Sequence, residues 1–314
     1  MAGLVKPKIL CIAGPTACGK TALSIRLARQ LDGEIISADS MQVYKGLDIG
    51  TAKVTREEMQ GVPHHLVDFL PPEQPFSVAD FVQRAGQCIE DICGRGRMPI
   101  LTGGTGLYLS SLLDGVRFAP QKVSEHLREQ LRSEAQLLGT QAMHDRLARI
   151  DPQAAAAIHP NNLNRVLRAL EAYYTCGETI SSQQASSRPL QRPYDAFVFC
   201  LFYPERAILY ERIDRRVERM MQQGLLEEAR EVWKKRTRFC TAAQAIGYKE
   251  FFPYFEGKQT LEACVADLKQ ASRRYAKRQL TWFRHMDEVH WLDAGVPDVT
   301  QQALEALRAV CFCV

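Results

Sequence analysis

Three stretches of this chain carry residue types that do chemistry, at the spacing chemistry needs. The first is Gly14-Pro15-Thr16-Ala17-Cys18-Gly19-Lys20-Thr21, which fits the phosphate-binding pattern G-x-x-x-x-G-K-[ST]. Its glycines let the backbone curl until the N–H groups point inward, and a helix N-terminus behind them adds partial positive charge. Lys20 would reach the outer phosphate oxygens, and the Thr21 hydroxyl suits a magnesium ion. The motif does not say which phosphate is held, and a nucleotide such as ATP is the ordinary occupant. The second stretch is Asp39-Ser40-Met41-Gln42. Asp39 reads equally well as a carboxylate for proton chemistry or as a cap, a place that Asp and Ser favour. The third is Gly103-Gly104-Thr105-Gly106-Leu107-Tyr108, a second glycine loop. Alone it is a weak signal, and its place in the chain strengthens it.

Each stretch follows a strand-like run. Lys8 to Ala13 is apolar and short, the pattern of a buried parallel strand. Thr21 to Leu31 then sets Leu23, Leu27 and Leu31 at helical spacing. Glu34 to Ala38 reads as a second strand ending at Asp39, and Pro99 to Thr102 as a third ending at Gly103. In open α/β sheets ligands sit outside the carboxyl ends of strands, so all three stretches belong to one edge. Tyr44 to Lys53 reads as an irregular excursion, and Pro63 to Asp68 as a short strand and turn. His64 and His65 point to opposite faces of an extended segment, which argues against a shared ion. Ser77 to Cys93 is a helix capped by Ser77. From about residue 120 to 190 the chain has only helical patterns: Glu125 to Leu138, Thr140 to Arg149 and Asn164 to Tyr174. Ser181 to Pro189 reads as a closing polar linker. Ala196 to Phe202 returns to the sheet, followed by helices over Arg206 to Gln223 and Leu261 to Phe283, a strand at Val289 to Leu292 and a helix from Thr300 to Val310. The expected fold is α/β, a P-loop NTPase-like parallel sheet flanked by helices, with an all-helical insertion. Residues 1–118 and 191–314 form the expected core and 119–190 the insertion.

Composition narrows the function classes. The chain has 314 residues, 46% of them apolar, ample for a packed core, and a formal charge of +4. The charge is uneven: Glu205 to His285 holds 18 Lys and Arg against 11 Asp and Glu. A basic segment on a near-neutral protein suggests a polyanionic partner on one face, or simply long solvated helices. None of the ten cysteines forms C-x-x-C, and Cys311 and Cys313 stand too close for a zinc knuckle. No secretory pattern and no membrane-length apolar run is present, so a reducing cytoplasm is the expected compartment and no membrane the expected partner.

The residues resemble one family closely, the bacterial tRNA dimethylallyltransferases, also called tRNA isopentenyltransferases. The matching stretches, in family order, are Gly14 to Thr21, Asp39 to Tyr44, Asp48 to Lys53, His64 to Asp68, Gly103 to Tyr108, Arg165 to Glu171, Ile246 to Lys249 and Lys277 to Arg284. They run nearly end to end. The phosphate loop is shared with kinases, whereas Asp39-Ser40-Met41-Gln42-Val43-Tyr44 and Lys277-Arg278-Gln279-Leu280-Thr281-Trp282 are far more specific. Cys18 departs from the family's usual Ser at a position that supplies a backbone N–H. The chain shows no C-terminal zinc finger of the eukaryotic kind, which suits a bacterial form.

The resemblance implies transfer of a dimethylallyl group from its diphosphate to N6 of the adenine just 3′ of the anticodon, tRNA position 37. The loop Gly14, Pro15, Thr16, Ala17, Cys18, Gly19, Lys20 and Thr21 would then hold the diphosphate, with Mg2+ on Thr21. Asp39 would act as general base, with Lys20 and Thr105 also catalytic, and Arg216 and Arg278 as further diphosphate ligands. The tRNA contacts implied are Asp39, Ser40, Met41, Gln42 and Thr105 at the base. Beyond the base they are Arg128, Asn164, Arg165, Val166, Leu167 and Arg168, and Gln244, Ala245, Ile246, Gly247, Tyr248 and Lys249 at the anticodon loop. A monomeric enzyme is expected. Three other readings stay open: a P-loop kinase of the nucleoside monophosphate kinase type, an adenylate isopentenyltransferase, and a non-catalytic RNA-binding adaptor.

Overall fold

A computed structural model describes residues 6–118, 125–187, 189, 191–239 and 241–310. Cys240, Cys311 and Cys313 lie outside the described residues, as does the stretch 119–124 at the expected start of the insertion. The chain divides into two compact units, one of residues up to Leu113 and from Pro193 onward, the other Asp114–Arg192.

The first unit is built on six parallel strands: β1 (Lys8–Ala13), β2 (Gly33–Ser37), β3 (His64–His65), β4 (Met98–Gly103), β5 (Asp195–Phe202) and β6 (Val289–Asp293). Their order is β3-β2-β4-β1-β5-β6. β1 sits centrally between β4 and β5, with Ala13 opposite both Gly103 and Cys200. A strand buried on both faces has no use for alternation, and Ile9 to Ala13 are all fully buried. Ile9, Cys11 and Ala13 join one core beneath the sheet, Leu10 and Ile12 the other.

The helices of this unit before the insertion are α1 (Lys20–Gln30), α2 (Arg56–Met59), α3 (Val78–Gly94) and α4 (Gly106–Leu113). Ser77 caps α3 in a capping box with Asp80, as expected from its type and place. Inside the insertion stand α5 (Glu125–Ile150), α6 (Pro152–Ala157), α7 (Leu163–Cys176) and α8 (Ile180–Ser187). α5 is broken at Gly139, whose φ of 83° and ψ of 164° are not helical, which matches the two helices expected there. The polar linker expected from Ser181 is corrected: Ile180–Ser187 is helical. Asp151 accounts for it, because its carboxylate accepts both the Ser181 N–H and the Ser181 hydroxyl from 30 positions away. After β5 come α9 (Arg206–Gln222), α10 (Leu225–Lys234), α11 (Phe252–Phe255), α12 (Leu261–Arg284) and α13 (Val299–Ala309).

A third core in the first unit packs Val43, Tyr44 and Leu47 against α10, α12 and the 239–251 segment. It roots the Tyr44 to Lys53 excursion, which stays irregular as expected. Glu228 of α10 accepts the N–H groups of Asp48, Ile49 and Gly50 and the Tyr248 hydroxyl, all within 3.0 Å. Lys53, 6% exposed, donates to the Tyr44 carbonyl and pairs with Asp48 and Asp68. The two histidines part as expected: His64 bonds the Val62 carbonyl, and His65 bonds buried Glu34. Glu34 is also held by Arg95 and Arg97, and the Arg95 bond is the main reason its carboxyl is pulled down to about 2.

Candidate active site

Gly14 and Gly19 stand at φ 143° and 92°, backbone that L side chains rarely adopt. A Cβ on Gly14 would also lie 2.8 Å from the Leu201 carbonyl. The loop ends at Gly19 and delivers Lys20 as the first residue of α1. Lys20 Nζ donates to the Pro15 carbonyl at 2.6 Å, holding the ammonium over the loop. Thr21 is exposed in the first turn of α1. The Cys18 side chain is buried in the core beneath the loop, where burial pushes its thiol pKa up and its sulfur accepts a weak contact from Lys20 Nζ at 3.9 Å.

β2 delivers Asp39 to the same edge. Asp39 Oδ1 accepts the N–H of Met41 at 2.8 Å and of Gln42 at 3.3 Å. The capping reading of Asp39 is what these bonds show. One oxygen caps the turn, and among the described residues Oδ2 makes no hydrogen bond. Thr105 Oγ1 accepts the Ser40 N–H at 3.2 Å, so the second glycine loop holds the turn that carries Asp39. The glycines of that loop serve close packing. A Cβ on Gly103 would meet the Ala38 carbonyl at 2.2 Å, on Gly104 the Gln279 Nε2 at 2.1 Å, and on Gly106 the Trp282 ring at 2.3 Å.

Thr16, Ala17, Gly19 to Thr21, Asp39 to Gln42, Gly103 and Gly104 line one cleft of about 1510 Å3, together with Arg216, Arg278, Tyr275, Gln279, Gln244 to Gly247 and Lys249. Arg216 is partly buried. Burial pushes its guanidinium pKa down, and the charge of Asp39 is the chief influence pulling it back. Arg278 is exposed, with its guanidinium 5.5 Å from the Tyr275 ring centre. The cleft thus places cations and amides around the phosphate loop together with the Asp39 carboxylate, with Glu58 and Glu218 also on its lining, as separation of an anionic leaving group from a proton acceptor requires.

Several expected contacts are corrected. Gln42 is not free to read a base: its amide donates to the Thr51 and Ala52 carbonyls and accepts from the Ser37 hydroxyl. Tyr248 is fully buried against Glu228, and Ala245 is buried with it, so they shape the wall that exposed Gln244 and Lys249 belong to. In the insertion, Val166 and Leu167 are 0% and 8% exposed and pack in its core. Asn164, Arg165 and Arg168 lie on the exposed side of α7. Arg128 and Arg168 both pair with buried Glu171, at 2.9 and 3.3 Å.

Three residues of the cleft, and Glu228 behind it, escape sequence reasoning. Gln279 accepts the Thr16 N–H and donates to the Gly104 carbonyl, each at 2.9 Å. Tyr275, one turn earlier on α12, also lines the cleft, and its hydroxyl pKa is pushed up to about 12 by burial and then by Asp39. Arg212 Nε donates to the Ala17 carbonyl at 3.0 Å and stacks on Tyr203. Glu228 fixes the loop that presents Gly50 to Ala52 to the cleft. Gln279 stands inside the Lys277 to Arg284 stretch, the one signal that pointed to it.

Among the described residues no group of three or more His, Cys, Asp and Glu side chains could hold a metal ion. No helix among them is long and apolar enough to cross a membrane.

The family described as IPP transferase matches residues 42–286, and the one described as isopentenyl transferase matches 7–68. The chain is 48% identical over 301 residues to a tRNA dimethylallyltransferase of Halalkalibacterium halodurans, with 96% of each chain covered. It is 49% identical to that of Bacillus subtilis, covering 93% of this chain and 92% of the other. Among solved structures it is similar to the full-length tRNA isopentenylpyrophosphate transferase from Bacillus halodurans, at 46% identity and a TM-score of 0.73, covering 98% and 97%. It is also similar to a eukaryotic dimethylallyltransferase acting on tRNA, at 32% identity and a TM-score of 0.81, covering 96% of this chain and 77% of the other. The phosphate loop, the Asp39 turn and the α12 stretch are thus those of a known group, and the chain belongs to the tRNA dimethylallyltransferase (tRNA isopentenyltransferase) family.

Proposed function

We propose that this enzyme transfers a dimethylallyl group from dimethylallyl diphosphate to N6 of the adenine just 3′ of a tRNA anticodon and releases diphosphate. The observation that carries the reading is the cleft lined by both the phosphate loop and Asp39, with Thr105 holding the turn that carries Asp39. The loop amides, Lys20, Arg216 and Arg278 hold the diphosphate. An adenine amine is a weak nucleophile, because its lone pair is shared with the ring, so it loses a proton as it attacks. Asp39 accepts that proton. The new N–C bond forms as the allylic C–O bond breaks, and Lys20 and the amides stabilise the charge gathering on the departing oxygen.

Mg2+ fits Thr21, an exposed hydroxyl at the loop's mouth. This ion is usually held by one or two protein oxygens, substrate phosphates and water, with no all-protein cage. When bound it supplies further positive charge to the diphosphate.

A base stacked in an anticodon loop is out of reach, so it is swung into the cleft. Ser40 and Met41 line the place where it would arrive. The insertion is an RNA-gripping module, with Asn164, Arg165 and Arg168 on the exposed side of α7 and Arg128 and Arg168 tethered by Glu171.

The test is incubation with labelled dimethylallyl diphosphate, Mg2+ and either tRNA, AMP or no acceptor. Label should enter tRNA alone. Label in AMP would favour the adenylate enzyme. Phosphoryl transfer from ATP with no prenylation would return the protein to the kinases.

A further inference from the structure

The front half of the phosphate loop has almost no donors to offer. Pro15 lacks an N–H. The next N–H, that of Thr16, is already spent on Gln279 Oε1 at 2.9 Å. Gln279 is 5% exposed and cannot swing away cheaply, because its Nε2 is bonded to the Gly104 carbonyl at 2.9 Å. The donors left are the amides from Ala17 to Thr21, the N-terminus of α1 and Lys20. They surround the loop's rear half. An anion that extends toward the front meets a carboxamide oxygen, itself an acceptor, where a phosphate needs a donor.

We propose that Gln279 sets the length of the phosphate chain this loop accepts, limiting it to a diphosphate. It does so by consuming the Thr16 amide and by presenting an oxygen lone pair at the end of the cradle. Gln279 is a positioning and specificity residue here; it takes no part in bond making. This inference rests on the diphosphate reading above and explains how a loop shared with nucleotide enzymes serves a prenyl donor.

The experiment is calorimetric titration of the full chain with magnesium pyrophosphate and magnesium tripolyphosphate, in wild type, Gln279→Met and Gln279→Glu. The Met change keeps the length and removes both polar contacts, freeing the Thr16 amide. The affinity ratio of tripolyphosphate to pyrophosphate should rise about tenfold, the worth of one hydrogen bond to a charged group. Gln279→Glu keeps the acceptor on Thr16, so its ratio should stay at or below wild type. A folded Gln279→Met protein with an unchanged ratio overturns the inference and leaves the diphosphate reading intact. Should the Met protein fail to fold, a raised ratio in the Glu protein overturns it equally. A wild type that binds pyrophosphate no better than orthophosphate overturns the diphosphate reading and this inference with it.

Discussion

Gly14 and Gly19 have φ of 143° and 92°, whereas Gly103, Gly104 and Gly106 keep negative φ and are pressed against Ala38, Gln279 and Trp282. One glycine loop is a conformational device, its backbone turned through φ values that L side chains rarely adopt. The other is a clearance device that lets β2, β4 and α12 come together until Thr105 can hold the Asp39 turn and Gln279 can reach Thr16. The lesson is that glycine-rich spelling at a strand's carboxyl end marks a site edge without saying whether the glycines touch ligand. On the proposed function the first loop binds and the second positions, so substitutions in each should fail in different observables.

The largest effect is expected at the residue both loops converge on. Asp39→Asn keeps an acceptor for the Met41 and Gln42 amides, so the turn should survive, but it removes the basicity. Turnover should fall about 10²–10⁴-fold, with tRNA affinity little changed. Single-turnover kinetics beside a binding titration separate the two. Near-normal turnover would make Asp39 a capping residue only. Lys20→Ala comes next, on the binding loop: it removes a donor aimed at the leaving group and should cost about 10²–10³-fold in turnover. Thermal unfolding without ligand should barely move, because what is lost is one part-buried bond to the Pro15 carbonyl and a weak contact with the Cys18 sulfur. A large melting-point drop with intact residual turnover would mean that the first loop, too, is mainly scaffold.

On the positioning loop the order of symptoms should reverse. Gly104→Ala places a Cβ 2.1 Å from Gln279 Nε2, and Gln279 is locked between two loops. Overpacking of this kind costs about 1–3 kcal/mol. Denaturant unfolding should show that loss, and pyrophosphate affinity should fall with it, because the Thr16 amide shifts once Gln279 moves. If stability fell and anion affinity stayed at wild type, the link from Gly104 through Gln279 to the first loop would be broken.

Sequence reasoning went furthest where signals are local. The parallel strands, the Ser77 cap, the break between the two halves of α5 and the phosphate loop are all written within a few residues of where they act. The edge at which Asp39 and the loops meet followed from strand ends alone. What was not legible is what joins distant pieces. Thr16 and Gln279 are 263 positions apart, Gly50 and Glu228 are 178, and no periodicity in either segment announces the bond. Motif matching erred in the opposite direction at Val166, Leu167 and Tyr248, because such a stretch includes the core residues that hold an interface as well as those that form it. The Ser181 segment misled because its polar composition suits a linker, and the Asp151 carboxylate that caps it is 30 positions away.

The finest test of the two-loop comparison is a pair of ranks. At Gly19 a Cβ would meet nothing within 4 Å, so the penalty for substitution is dihedral strain alone. Leaving glycine for alanine in left-handed backbone costs about 1–2 kcal/mol. Asn tolerates that region better than Ala, because its short polar side chain can bond locally. Gly19→Asn should therefore be milder than Gly19→Ala, by a few tenths of a kcal/mol to about 1 kcal/mol. At Gly104 φ is not positive and the obstacle is Gln279, so the larger side chain should be the worse one and Gly104→Asn should fall below Gly104→Ala. Four melting curves decide it. The same rank at both sites would mean that one kind of constraint governs both loops. Opposite ranks, with Asn better at Gly19 and Ala better at Gly104, are what torsion in one loop and crowding in the other require.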